Sequence, residues 1–214
     1  MIGAVIWDMD GCQSDTQGLH AQVESQLLAR FGVRLSPDEI SAKYAGVRTR
    51  DFFVDLLTAT GVSFDIDALM AEKWVQMERL ANRGVRAVPG AFELTQALNK
   101  LGVPQAVASA SDTKYVEVVL RSIGTYRFFT AVVGGDQVRQ GKPSPESFLL
   151  AAARLGVPAA RCVVIEDGGS GVLAAEAAGM ACVGIRGHDV RIERADVVID
   201  DLRSVLASRI VSLR

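Results

Sequence analysis

The chain has 214 residues, 49% hydrophobic and 22% charged, with a formal net charge of -2. That is the composition of a globular chain long enough for one sizeable core plus an inserted subdomain, not of a disordered one. The near-neutral balance leaves no basic footprint for nucleic acid, and no apolar run is long enough to span a bilayer. Asp8 interrupts the first apolar run too early for a signal-peptide core, so a cytoplasmic protein with no nucleic-acid or membrane partner is expected. Cys12, Cys162 and Cys182 are far apart, odd in number and without zinc spacing, as reduced buried thiols are.

Ala4-Val5-Ile6-Trp7 is an apolar run that ends in two carboxylates one residue apart, Asp8 and Asp10, followed by Gly11. The run predicts a buried strand. Side chains two apart share a strand face, so Asp8 and Asp10 converge at its end. Neighbouring anions repel, and a divalent cation, a shared proton or a nearby lysine would offset that. A plain Asp-Gly turn with a solvated Asp8 is the alternative at this point.

Leu19, Val23, Leu27, Leu28 and Phe31 recur at helical spacing and predict a helix over 16–31, stopped by Gly32. Ser36 as N-cap, Pro37 at the first position and Glu39 closing a capping box start the next helix. Helices near 49–60 and 65–83 end at Gly61 and Gly84, and no strand is expected between Asp15 and Gly84. Residues 15–86 therefore read as an all-helical insertion in a core made of 1–14 and 87–214.

Beyond Pro89-Gly90 helices and strands alternate. Helices are predicted over 91–100, 113–122 and 169–178, with another opened by Gly141-Lys142-Pro143-Ser144-Pro145-Glu146 and running to Leu155. Strands are predicted over 103–108, 131–133, 162–165, 181–185 and 197–199. Short, strongly apolar strands in this alternation predict an α/β fold, a Rossmann-like parallel sheet with helices on both faces. Ligands of such sheets bind beyond the carboxyl ends of the strands. Asp8, Asp10, Gly11, Ser109, Lys142, Glu166 and Asp167 all fall on that one rim.

Three or four carboxylates, one lysine, one hydroxyl and no histidine on the rim favour magnesium over zinc, in a site that keeps waters and binds a substrate phosphate. Lys142 and Ser109 suit phosphate oxygens, one by charge and one by hydrogen bond. A carboxylate, Asp8, then serves as the nucleophile toward phosphorus, giving an aspartyl phosphate. Asp10 is placed to protonate the leaving oxygen and later to deprotonate water. Taken singly, Asp167 also reads as a helix N-cap, Ser109 as a turn residue and Lys142 as a solvated lysine. A P-loop around Gly135 and Gly141-Lys142 fails, because the spacing is too long and Pro143 stands where serine or threonine is needed.

These residues resemble the haloacid dehalogenase superfamily, in its phosphatase and beta-phosphoglucomutase branch with a helical cap. Asp8-Met9-Asp10-Gly11 with Asp15-Thr16 matches the first motif and Ser109-Ala110-Ser111 the second. Gly141 to Glu146 matches the third, and Glu166-Asp167 with Gly171 the fourth. The resemblance implies magnesium held by Asp8, the Asp10 carbonyl and Asp167 with Glu166 close by, and a phosphoryl group bound by Gly11, Ser109, Ala110 and Lys142. The chain departs from the branch at Gly168, commonly serine, at Gln13, usually apolar, and at Gln17, often glutamate.

The resemblance makes residues 15–86 a cap that closes over the site and sets specificity. Arg48 and Arg50, beside Gly46, are candidates to clamp a sugar hydroxyl, carboxylate or second phosphate, or equally form a solvated helix start. His20 lies where the branch often carries a hinge histidine. Against a beta-phosphoglucomutase, Ala45 replaces its loop lysine and Thr49 stands in its arginine register. The expectation is a phosphatase acting on a small sugar phosphate or sugar-acid phosphate, as a monomer or weak homodimer, with the mutase second. A receiver-type signalling domain, which also forms an aspartyl phosphate, ranks below both.

Overall fold

The computed structural model describes residues 2–44, 47–186 and 190–213. Six strands form one sheet: β1 (Ala4–Trp7), β2 (Gln105–Ala108), β3 (Ala131–Val133), β4 (Cys162–Glu166), β5 (Ala181–Ile185) and β6 (Val197–Ile199). They lie in the order β3-β2-β1-β4-β5-β6, and every pairing is parallel.

Period-two alternation sorts their side chains onto two faces. Val5, Trp7, Val107, Val163, Ile165 and Val183 join one apolar cluster, while Ala4, Ile6, Ala106, Ala108, Cys162 and Val164 join the other. Both faces are covered, which is why the strands read as continuous apolar runs rather than alternating ones. Each fully buried Val or Ile of β1 contributes about 1.5–3 kcal/mol. Several polar side chains of this core are linked in a chain. Trp7 Nε1 donates to Gln105 Oε1 at 3.0 Å, and Gln105 Nε2 donates to the Thr95 carbonyl at 2.9 Å. Gln13 Nε2 donates to Thr95 Oγ1 at 3.0 Å, which fastens the loop after β1 and gives this unusual glutamine a buried role.

Four helices follow β1: α1 (Gln17–Ala29), α2 (Pro37–Tyr44), α3 (Thr49–Thr58) and α4 (Ile66–Ala81). No strand occurs among the described residues of this stretch. The Ser36–Glu39 capping box is formed, with Ser36 N donating to Glu39 Oε2 at 2.8 Å and Glu39 N to Ser36 Oγ at 3.2 Å. The chain leaves and re-enters the sheet region side by side: Asp15 N donates to Arg86 O at 2.9 Å and Val88 N to Gln13 O at 3.0 Å. Helix α1 packs on α2 and α4, and Leu27, Phe52 and Met77 share an apolar cluster with Val5 and Trp7.

The remaining helices are α5 (Ala91–Lys100), α6 (Thr113–Ser122), α7 (Glu146–Leu155), α8 (Gly169–Ala177) and α9 (Ala207–Val211). Helix α9 and several short 3-10 turns are not anticipated from the sequence. No helix among the described residues is long and apolar enough to cross a membrane. The chain goes from β1 to β2 on one side, and β4 lies on the other side of β1. The strand order therefore reverses at β1 and β4, which opens a crevice beyond their carboxyl ends.

Candidate active site

Asp8 follows β1 directly, its backbone N–H donating to the Ile165 carbonyl at 2.9 Å, so it sits level with the end of β4. Its side chain is buried and bonded to Lys142 Nζ, which also donates to Glu166 Oε1 at 2.8 Å. Lys142 lies 4.8 Å above the Phe148 ring centroid, so its stem is fixed by packing as well as by charge. Burial drives the Asp8 carboxyl up to about 8, with Lys142 opposing and the charges of Glu166 and Asp10 adding to the rise. Burial lowers Lys142, but the two carboxylates outweigh it and hold the ammonium above its ordinary range.

Asp10 is set differently. Its Oδ1 accepts from Thr16 Oγ1 and contacts His20 Nε2 at 3.1 Å, and its Oδ2 accepts from Ser111 Oγ at 2.9 Å. Burial pushes this carboxyl up, but the charge and hydrogen bond of His20, with Thr16 and Ser111, bring it down to about 2. The two acids thus sit in environments that drive their proton affinities apart. Ser109 Oγ accepts from Ser111 N at 3.0 Å and faces Asp10 Oδ2 at 3.5 Å. It is Ala110 and Ser111, rather than Ser109, that line the cavity over Asp8.

Asp167 completes the acids. It is pushed well up by burial, then by Glu166 and Asp8, with Lys142 opposing. Three close-set acids, Asp8 and Glu166 buried and Asp167 half-buried, share the single lysine, so the cluster calls for further positive charge. Gln17 Nε2 donates to Asp167 Oδ2 at 2.5 Å and lies 3.4 Å from the Asp10 carbonyl, an NH2 group joining two oxygens expected to ligate a cation. A hard, oxygen-only donor set of this kind fits magnesium. Cys12 Sγ is 4.0 Å from Asp167 Oδ1 and stands with Asp8 and Asp167 in one group of possible ligand atoms, but burial and the surrounding acids raise its thiol well above the usual range, which disfavours the thiolate.

Two glycines make this crowding feasible. Gly11 has φ +89, and a Cβ there would stand 2.0 Å from Asp167 Oδ2. A Cβ at Gly171 would stand 1.7 Å from Glu166 Oε1. Gly168 is different: its backbone is extended, its N–H donates to Glu166 Oε2 at 2.6 Å, and a Cβ would only touch that oxygen at 3.5 Å.

From the helical insertion, Gln17, His20, Glu24, Ser41, Tyr44 and Thr49 line the same cavity. Neither arginine proposed as a clamp is brought there. Arg48 forms a bidentate pair with Asp51 and donates to the Arg139 carbonyl at 3.0 Å. Arg50 pairs with Asp67 at 2.7 Å on the exposed surface. Both are drawn off by acids on their own or the next helix. Gly46, the residue named beside them, lies outside the described residues. His20 stacks edge-on to Tyr115 and Trp74 at centroid distances of 5.3 and 6.1 Å, which fixes the ring beside Asp10. Glu24 of α1 and Lys73 of α4, a buried acid and base, carry no local motif and are not picked out by the sequence.

The haloacid dehalogenase-like hydrolase family matches residues 2–179 of the chain. Among curated relatives, fructose-1-phosphate phosphatase YqaB of Escherichia coli is 32% identical over 85% of this chain and 95% of its own length. Protein SUPPRESSOR OF QUENCHING 1 of Arabidopsis thaliana is 33% identical over 86% of this chain, which corresponds to 18% of that protein's length. Among solved structures, beta-phosphoglucomutase from Clostridium difficile shares the fold at a TM-score of 0.89 and 24% identity, covering 98% of this chain and 96% of that one. With the strand-end acids, the lysine and the helical insertion in their observed places, the chain belongs to the haloacid dehalogenase-like hydrolase family.

Proposed function

We propose that this protein is a phosphoric monoester hydrolase acting on a small sugar-like phosphate, with Asp8 as its nucleophile. The observation that carries the reading is the buried Asp8–Lys142–Glu166 contact at the reversal point of the sheet, with Asp10 fixed two residues away. The similarity to a fructose-1-phosphate phosphatase supports the substrate class.

A carboxylate oxygen of Asp8 attacks phosphorus, and the bond from phosphorus to the leaving oxygen breaks. Asp10 gives that oxygen its proton, so an alcohol departs and an aspartyl phosphate remains. On its own Asp10 is ionised, and the like charge of an incoming phosphoryl group raises its affinity for the proton it needs. In the second half Asp10 takes a proton from water as the water oxygen attacks phosphorus. The bond from phosphorus to Asp8 then breaks, phosphate leaves and the Asp8 carboxylate is restored. Lys142, with Ala110 and Ser111 on the same cavity wall, would hold phosphoryl oxygens. Asp8, the Asp10 carbonyl and Asp167, with Glu166 beside them, would hold magnesium, which when bound supplies the positive charge an anion needs to approach a dianion. The helical insertion acts as the cap that keeps other water out.

The test is phosphate release from a panel of phosphorylated sugars with magnesium present. Asp8→Asn is expected to lower kcat by about ten-thousandfold, and Asp10→Asn by about a hundredfold or more. Undiminished release by Asp8→Asn would remove the nucleophile assignment. Accumulation of an isomerised sugar phosphate without free phosphate would make the protein a mutase instead.

A further inference from the structure

The insertion's charges over the cavity are already paired, and the pairing has a direction. Lys73 of α4 is fully buried, and its Nζ donates to Glu24 Oε1 of α1 at 2.6 Å and to Thr49 Oγ1 of α3. Thr49 Oγ1 in turn donates to Glu24 Oε1 at 3.1 Å. Glu24 and Thr49 line the cavity, whereas Lys73 lies behind them. Among the described residues Glu24 Oε2 has no hydrogen-bond partner, so one oxygen of a fixed carboxylate is left for a ligand. Of the other insertion residues on that wall, Ile40, Ser41, Tyr44 and Val47 are neutral, and His20 is turned to Asp10 Oδ1 at 3.1 Å. Arg48 and Arg50 are held elsewhere by Asp51 and Asp67.

We propose that Glu24, braced by Thr49 and Lys73, is a specificity-determining residue that accepts hydrogen bonds from hydroxyls of an uncharged polyol leaving group and rejects leaving groups carrying a carboxylate or second phosphate. The assignment rests on the phosphatase reading and narrows it to neutral sugar or polyol monophosphates. A fixed carboxylate with a free oxygen is an acceptor only, matched to hydroxyl donors. A second anion on the substrate would face that carboxylate, and like-charge juxtaposition is a strong device against the wrong partner. Lys73 does not rescue such a substrate, because turning it away leaves Glu24 buried and unpaired.

The experiment compares kcat/KM of the magnesium-loaded protein for a hexose 6-phosphate, the corresponding 6-phosphogluconate and the 1,6-bisphosphate. The wild-type protein is expected to favour the hexose monophosphate over both by about tenfold or more. In Glu24→Gln the uncompensated Lys73 charge favours the anionic substrates, and the ratio falls toward one, chiefly through KM. A wild-type ratio near one, or a preference for either anionic ester, overturns the assignment without any variant. A Glu24→Gln protein that melts like wild type and keeps the full ratio overturns it as well. Phosphate release with no discrimination removes Glu24 alone, whereas no release from any ester removes the phosphatase reading and this assignment with it.

Discussion

Gln17 Nε2 donates to Asp167 Oδ2 at 2.5 Å while lying 3.4 Å from the carbonyl oxygen of Asp10, so one neutral amide ties together two oxygens that a cation would need. Cation binding has to break that hydrogen bond to a charged acceptor, which is worth about 1.5–3 kcal/mol. Gln17→Ala is therefore expected to tighten magnesium binding by about tenfold or more in a calorimetric titration. Weaker binding in the variant would mean that the amide supports the cation rather than competing with it.

The glycines around the acids separate into required and replaceable ones. Gly171→Ala forces a Cβ to within 1.7 Å of Glu166 Oε1, so Glu166 has to leave Lys142. A loss of about 2–4 kcal/mol of stability is expected by denaturant unfolding. Gly168→Ser places its Cβ in ordinary contact with Glu166 Oε2 at 3.5 Å and asks for no unusual backbone. It should change stability by less than about 0.5 kcal/mol. Equal losses in the two variants would contradict the crowding argument.

The raised carboxyls make a prediction about pH. Asp8 at about 8 and the raised Asp167 stay protonated in the fold where the unfolded chain, at 3.8, has lost its proton. Their contribution is full below the unfolded value and is lost as pH rises through the folded one. Asp10, held at about 2, has the opposite sign but acts only below this window. With chelator present, Tm should fall between about pH 5.5 and about pH 8, and Asp167→Asn should flatten that fall. Added magnesium, by displacing those protons, should stabilise the protein more at the higher pH. A chelated wild-type protein whose pH profile matches that of Asp167→Asn would contradict the shared burial of the acids.

Arg48 reaches across to the Val138 and Arg139 carbonyls at 3.5 and 3.0 Å, beside the loop that carries Lys142. These contacts tie the start of α3 to the rim. Arg48→Ala should cost about 1 kcal/mol of stability and shift KM equally for neutral and anionic esters. Arg50→Ala, which removes only an exposed pair with Asp67, should stay within about 0.5 kcal/mol. A selective loss of affinity for anionic esters in either variant would restore the clamp.

Residues whose role is local were legible in the sequence. The Ser36–Glu39 box, the strand ends near Asp8 and Glu166, and the spans of helices α5 and α6 follow from local pattern alone. The order of the strands is not encoded in periodicity, and neither is the five-residue α9, which is too short to show a repeat. Glu24 and Lys73 look like solvated helix charges until packing brings α1 and α4 together and buries both. Arg48 and Arg50 went the other way, because an arginine shows its charge in the sequence but not the nearby acid that captures it. Ser109 and Ser111 belong to one motif, and only the structure shows that Ser111 makes the shorter bond to Asp10, 2.9 Å against 3.5 Å from Ser109.

The claim most worth testing is that Asp8 bonds covalently to phosphorus. Wild-type protein mixed with magnesium and a hexose 6-phosphate, acid-quenched within the first turnover and digested, should yield a phosphorylated peptide with the modification on Asp8. Phosphate released in that turnover with Asp8 unmodified, or a phosphoryl group carried by another residue, would contradict the account.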